Sequence, residues 1–111
     1  MRKIVTVALA SIAAWPMAAA WAVEADTYDL TIQDHRFSPD RIEVPAGRKI
    51  VLVVKNQDAQ PEEFESGDLK REKVVKGNRQ VRVQVGPLAA GEYKFSGEYH
   101  ADTAQGVLVA K

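Results

Sequence analysis

The chain has 111 residues, balanced charge at neutral pH and no cysteine. Its methionines, Met1 and Met17, and its tryptophans, Trp15 and Trp21, all precede Ala22. One domain of this size without a thiol excludes disulfides, cysteine nucleophiles, iron–sulfur clusters, cysteine–zinc sites and the thiolate that a type 1 copper centre requires.

Residues 1–22 read as a secretory signal. Arg2 and Lys3 are the basic start, and Ile4 to Ala14 form an apolar run interrupted by Thr6 and Ser11. Pro16 breaks the run, and Ala20-Trp21-Ala22 offers small residues for cleavage, with Val23-Glu24-Ala25 as a weaker second choice. The run is short for a retained membrane anchor. The expectation is therefore a secreted protein with a working domain of 23–111 and no stable membrane insertion after cleavage. Removing Arg2 and Lys3 leaves that domain with an excess of acids. Its bases are scattered, so no patch suits nucleic acid. A domain this small has a thin stability margin, which a bound metal would widen.

The remainder alternates as strands do. Tyr28 to Ile32 has period two, Phe37-Ser38-Pro39-Asp40 reads as a turn, and Arg41 to Val44 alternates again before Pro45-Ala46-Gly47. Lys49 to Lys55 is the most apolar stretch, so it is expected at the centre of a sheet. Residues 56–61 form a polar, proline-bearing loop. Glu62 to Glu65 reads as a short extended piece, and Glu72 to Val75 as a short strand or turn. Gln80 to Val85, Gly91 to Phe95 and Gly106 to Ala110 complete the set. No segment has helical periodicity. Seven or eight short strands with Pro/Gly turns predict an all-β sandwich.

The chemistry has to come from oxygen and imidazole. There are two histidines, His35 and His100. Near them in sequence lie Asp34, Glu98 and Asp102, and a third acidic set, Glu62, Glu63 and Glu65, follows the loop. If Glu98-Tyr99-His100 is extended, residues 98 and 100 point the same way and could share one ion, with Asp102 behind them. Glu62 and Glu63 point to opposite faces, so only one of them turns inward. Against this stands the plain reading of a charged, solvated sheet edge. Ser38, Ser66 and Ser96 have no histidine–acid partner arrangement, and the glycines form no phosphate loop.

Phe37-Ser38-Pro39, Ile42-x-Val44-Pro45-x-Gly47 and Val51 to Asn56 resemble the first half of a cupredoxin. Leu88 to Phe95, His100 and Gly106 to Val109 resemble the second half, in order and at the family's spacing. The resemblance covers 27–110 and implies a cupredoxin-like Greek-key β-sandwich. Matched to the family's copper ligands, the first histidine falls at Glu62, the cysteine at Gly97 and the methionine near Ala104, while the second histidine is kept as His100. Type 1 copper electron transfer is therefore not expected.

Pro61 to Ser66, Arg71 to Val74 and Glu98 to Gly106 resemble a subgroup found in bacterial ferrous-iron uptake systems, namely the cupredoxin domain of the EfeO type and the small FtrB component. That resemblance implies an inner-membrane iron permease and a second periplasmic iron-binding protein as partners. It also implies binding of iron or copper and oxidation of ferrous iron before transport. Carboxylate and imidazole ligands suit iron, and carboxylates favour the ferric state. The candidate ligands are His35, Glu62 or Glu63 (with a slight preference for Glu63), Glu98 and His100, and Asp102 is a further ligand or a supporting group. Two alternatives stay open. One is a metal-free interaction module with a degenerate site that docks another uptake component. The other is an enzyme that turns over ferrous iron. Whether two chains pair to complete one site is also open.

Overall fold

The computed structural model describes residues 26–111, so the expected signal segment lies outside the described residues. Nine strands form a four-stranded and a five-stranded sheet, two layers with the core between them. The all-β sandwich expected from the alternation is what the chain adopts. It has more strands than the seven or eight expected, because Phe37 lies in a short strand rather than a turn. The one helical piece among the described residues is a single 3-10 turn, Glu98–His100.

The first sheet has the order β2-β1-β4-β7, formed by β1 (Asp26–Gln33), β2 (Arg36–Ser38), β4 (Ile50–Asn56) and β7 (Gln80–Val85). β1 runs parallel to β4 and antiparallel to β2. The near-continuous apolar run of β4 sits between β1 and β7, and Ile50 to Val54 are all buried. Ile50, Leu52 and Val54 face the core, while Val51 and Val53 are buried on the other face between the flanking strands.

The second sheet has the order β3-β9-β8-β5-β6, from β3 (Arg41–Val44), β5 (Glu62–Ser66), β6 (Arg71–Val75), β8 (Gly91–Gly97) and β9 (Gln105–Ala110). β3 and β9 are parallel, and the other pairs are antiparallel. Alternation assigns the faces. Glu62, Phe64 and Ser66 point inward from β5, while Glu63 and Glu65 point outward.

All three phenylalanines lie in the core and meet one another. Phe37 sets its ring edge against Phe95 at 5.0 Å and against Phe64 at 6.3 Å, and Phe64 stacks on Phe95 at 5.4 Å. Each lies two residues from a position of interest: His35 before Phe37, Glu62 before Phe64, Gly97 after Phe95. Side chains two apart on a strand share a face. Glu62 and Gly97 therefore lie on the core face of β5 and β8 with Phe64 and Phe95, while His35 lies in the turn just before β2.

Candidate metal centre

His35 sits in the two-residue loop of the β1–β2 hairpin, where Gln33 pairs with Arg36. Asp34 and His35 both have positive φ, 54° and 57°, the pattern of a type I′ turn. A left-handed non-glycine backbone costs about 1–2 kcal/mol per residue. Asp58 offsets that cost by accepting the N–H of Asp34 at 2.8 Å on Oδ1 and that of His35 at 3.0 Å on Oδ2. Oδ2 also lies 3.5 Å from Nδ1 of the His35 ring. Burial pushes the Asp58 carboxyl up, but the two amide bonds and the His35 and His100 imidazoles outweigh it and hold it below the usual range. Asp58 is itself placed by buried Asn56, whose Oδ1 accepts the Asp58 N–H and whose Nδ2 donates to the carbonyls of Gln60 and Val75. On the other side, the Thr103 hydroxyl donates to the His35 carbonyl at 2.6 Å.

Glu62 is the first residue of β5 and one of the most buried side chains, at 1% exposure. A carboxylate so placed has to be fully hydrogen-bonded. Oε1 accepts the N–H of Glu63 at 2.9 Å and of Tyr99 at 2.8 Å, and Oε2 lies 2.7 Å from Nδ1 of His100. His100 ends the 3-10 turn, and its carbonyl accepts the N–H of Ala104 at 2.8 Å. The rings of His35 and His100 stack at 3.6 Å, only 14° from parallel.

His35, Glu62 and His100 therefore converge, each offering a ligand atom within 4.8 Å of the others. Both imidazoles reach solvent, with side-chain exposures of 38% and 26%, while the carboxylate lies underneath. This is an anionic base with two imidazoles at its mouth, a donor set that suits borderline divalent ions and ferric iron. The chain has no cysteine, so a type 1 copper site does not fit. A ring nitrogen's lone pair lies in the plane of its ring, so two stacked rings aim at one shared ion only after one of them turns.

Three other candidates lie elsewhere. Glu63 faces outward, so the slight preference for Glu63 over Glu62 gives way to the β5 alternation that buries Glu62. Glu98 does not share a direction with His100, because the segment is a 3-10 turn with three residues per turn, not a strand. Its carboxyl instead meets Glu65. Asp102 is exposed in the turn before β9 and is not among the converging groups. On this outer face, burial raises the Glu63 carboxyl, helped by Glu72, Glu98 and Glu62. Glu65 is raised by its hydrogen bond and charge repulsion with Glu98. Asp58 escaped sequence reasoning. Its one signal was a polar loop following a buried strand. A groove of about 780 Å³ opens on the other stretch of this sheet, lined by Glu65, Asp68, Glu92, Lys94 and Gln105 among others, and contains none of the three ligands.

The profile of the family described as "Cupredoxin-like domain" matches residues 4–110. The chain is a member of the cupredoxin-like family. An uncharacterized protein of Rickettsia prowazekii (strain Madrid E) is 45% identical over 80 residues, which is 72% of this chain and 64% of that protein. The cupredoxin-like chain thus spans less than two thirds of that relative's length. Among solved structures, auracyanin A, a "blue" copper protein from Chloroflexus aurantiacus, superposes with a TM-score of 0.66 at 20% identity, covering 77% of this chain and 98% of auracyanin. A copper binding protein in its apo form gives 0.67 at 15% identity, over 77% and 86% of the two chains. A reduced amicyanin mutant gives 0.65 at 17% identity, over 80% and 86%. At these identities the likeness is one of fold. The cupredoxin-like sandwich is what they share.

Proposed function

We propose that this chain is a periplasmic metal-binding protein of an iron-uptake system, taking iron as cargo through His35, Glu62 and His100. The observation that carries the reading is the convergence of two accessible imidazoles on a buried carboxylate. A surface acid needs no explanation. A carboxylate at 1% exposure that bonds one imidazole beneath a second has a specific arrangement to account for. Carboxylate ligation favours the ferric over the ferrous ion and so lowers the potential, the property that oxidation before transport requires. Copper(II) suits the same oxygen and nitrogen donors. The resemblance to the EfeO-type and FtrB proteins supplies the iron-uptake setting, with an inner-membrane permease as recipient and a second periplasmic iron-binding protein as partner.

Binding has a built-in cost. The His100–Glu62 hydrogen bond has to open and the two rings have to unstack before the three groups share an ion. Metal ligands must also be deprotonated, so loading releases protons. The test is titration of the purified protein with Fe(II) under anaerobic conditions, and with Mn(II) and Cu(II). One ion per chain is expected, with affinity lowered at least tenfold in Glu62→Ala and His100→Ala and unchanged in Asp102→Ala. Anomalous diffraction at the iron and copper edges would place the ion between His35 and His100.

A second reading follows from the same hydrogen bond. Every buried side-chain polar atom among the described residues already has a partner, so the centre is satisfied without an ion. On that reading the sandwich is a metal-free module that docks another uptake component. Absence of binding by all three ions at neutral pH would favour it.

A further inference from the structure

Gly97 ends β8, across from Phe64 on β5, at the position matching the cysteine ligand of blue-copper relatives. Its backbone is ordinary extended chain, φ −97° and ψ 109°, which any residue adopts. Conformation therefore does not demand a glycine there. Contact does. A Cβ on Gly97 would stand 2.7 Å from Cδ and 2.9 Å from Oε2 of Glu62, and 2.8 Å from Cβ of Ala104. Non-bonded carbons settle at about 3.5–4.0 Å. The space above the bare Cα is already filled by the Glu62 carboxylate.

We infer that Gly97 determines the ligand chemistry of this centre: its missing side chain is the opening through which the Glu62 carboxylate reaches His100, and any side chain at 97, a thiol included, expels that carboxylate. Glu62 has little room to retreat. Its Oε1 is held by two amides and its Oε2 by His100, so displacement would strand three polar partners at once. A carboxylate from 62 and a side chain at 97 are thus mutually exclusive occupants of one space. Gly97 selects the oxygen-donor form of the centre over the soft thiolate form. The selection of metals rests on the metal-binding reading above; the packing relation between the two residues does not.

The test is a double-mutant cycle on the metal-free protein, read by urea unfolding of wild type, Gly97→Ala, Glu62→Ala and the double variant. The contact with Ala104 is common to both backgrounds and cancels. Gly97→Ala is expected to lower the midpoint in the wild-type background by at least twice as much as in the Glu62→Ala background. Equal losses overturn the inference. If Gly97→Ala does not fold while the double variant does, the inference stands; if neither folds, it falls. In the folded variants, Gly97→Ala should shift the amide resonances of Glu63 and Tyr99 as Glu62→Ala does, and unmoved resonances count against it. Mn(II), which is redox-inert here, should bind Gly97→Ala at least tenfold more weakly than wild type, and equal affinity overturns the selective role. A wild type that binds none of Fe(II), Mn(II) and Cu(II) removes the metal reading, and the cycle still decides the packing claim.

Discussion

Asp58 shows how much one loop carboxylate can organise. It holds two successive left-handed residues, and one of them is His35. Asp58→Ala removes both amide acceptors and leaves the turn's backbone cost uncompensated. We expect a loss of about 2 kcal/mol of unfolding free energy, measured in urea, from hydrogen bonds to a charged group. Metal affinity should fall with it, because His35 loses its fixed position. Asp58→Asn keeps one acceptor oxygen and should retain part of both. The same dependence explains why Asp58 was not legible in the sequence. It lies 23 residues from His35, and nothing in a polar loop marks which acid folds back onto a distant turn.

At the scale of elements, β5 carries the site on one face and a charge problem on the other. Glu65 meets Glu98 from the 3-10 turn and, less strongly, faces Glu72 across the β5–β6 register, so its carboxyl is raised above its usual value. A raised acid favours the folded state while protonated. That contribution is present at low pH and is lost as pH rises through the ordinary carboxylate value toward the raised one. Glu65→Gln should therefore raise the melting temperature at neutral pH, and the gain should vanish in acid. A gain of the same size at both pH values would show that charge is not its cause. On the next pair, Gly106 of β9 faces Phe95, and a Cβ at 106 would fall 2.4 Å from the Phe95 ring. Gly106→Ala should destabilise by about 1–3 kcal/mol through overpacking, seen as a lower urea midpoint. Strand alternation revealed β5 in the sequence, although it did not decide between Glu62 and Glu63. The segment after β8 was harder to read. Glu98-Tyr99-His100 fits an extended pattern equally well, yet in the fold it is a 3-10 turn whose Tyr99 N–H is taken by the distant Glu62 carboxylate.

On the whole molecule, the metal centre and the fold are coupled. The three ligands come from the β1–β2 turn, the start of β5 and the 3-10 turn before β9, so an ion bound by all three ties both sheets together at one end. An ion that binds only the folded chain stabilises it by mass action, about 2.7 kcal/mol at a hundredfold excess over Kd. Saturating Mn(II) should raise the melting temperature, and a chelator should return it to the metal-free value. The shift should be smaller in Glu62→Ala at the same Mn(II) concentration. A domain of this size, stapled by no disulfide, has little margin, so the shift should be easily measured.

Alternation and composition were enough to establish the class of fold and the oxygen and nitrogen character of the donors. Period-two patterning is a local property, and each strand displays it without reference to any other. The absence of cysteine needs no structure to exclude a thiolate centre. Tertiary structure alone decided which donors meet. His35 and Glu62 are 27 positions apart and Glu62 and His100 are 38 apart in the chain, and they converge because the packing of the two sheets brings the β1–β2 turn, the start of β5 and the 3-10 turn to one place. That packing also gave Gly97 its meaning. In the sequence it is a glycine at the position that the cupredoxin resemblance matches to a cysteine ligand. In the fold, the space its side chain would fill is where the buried carboxylate sits, and shape complementarity between residues far apart in the chain cannot be read from either one alone.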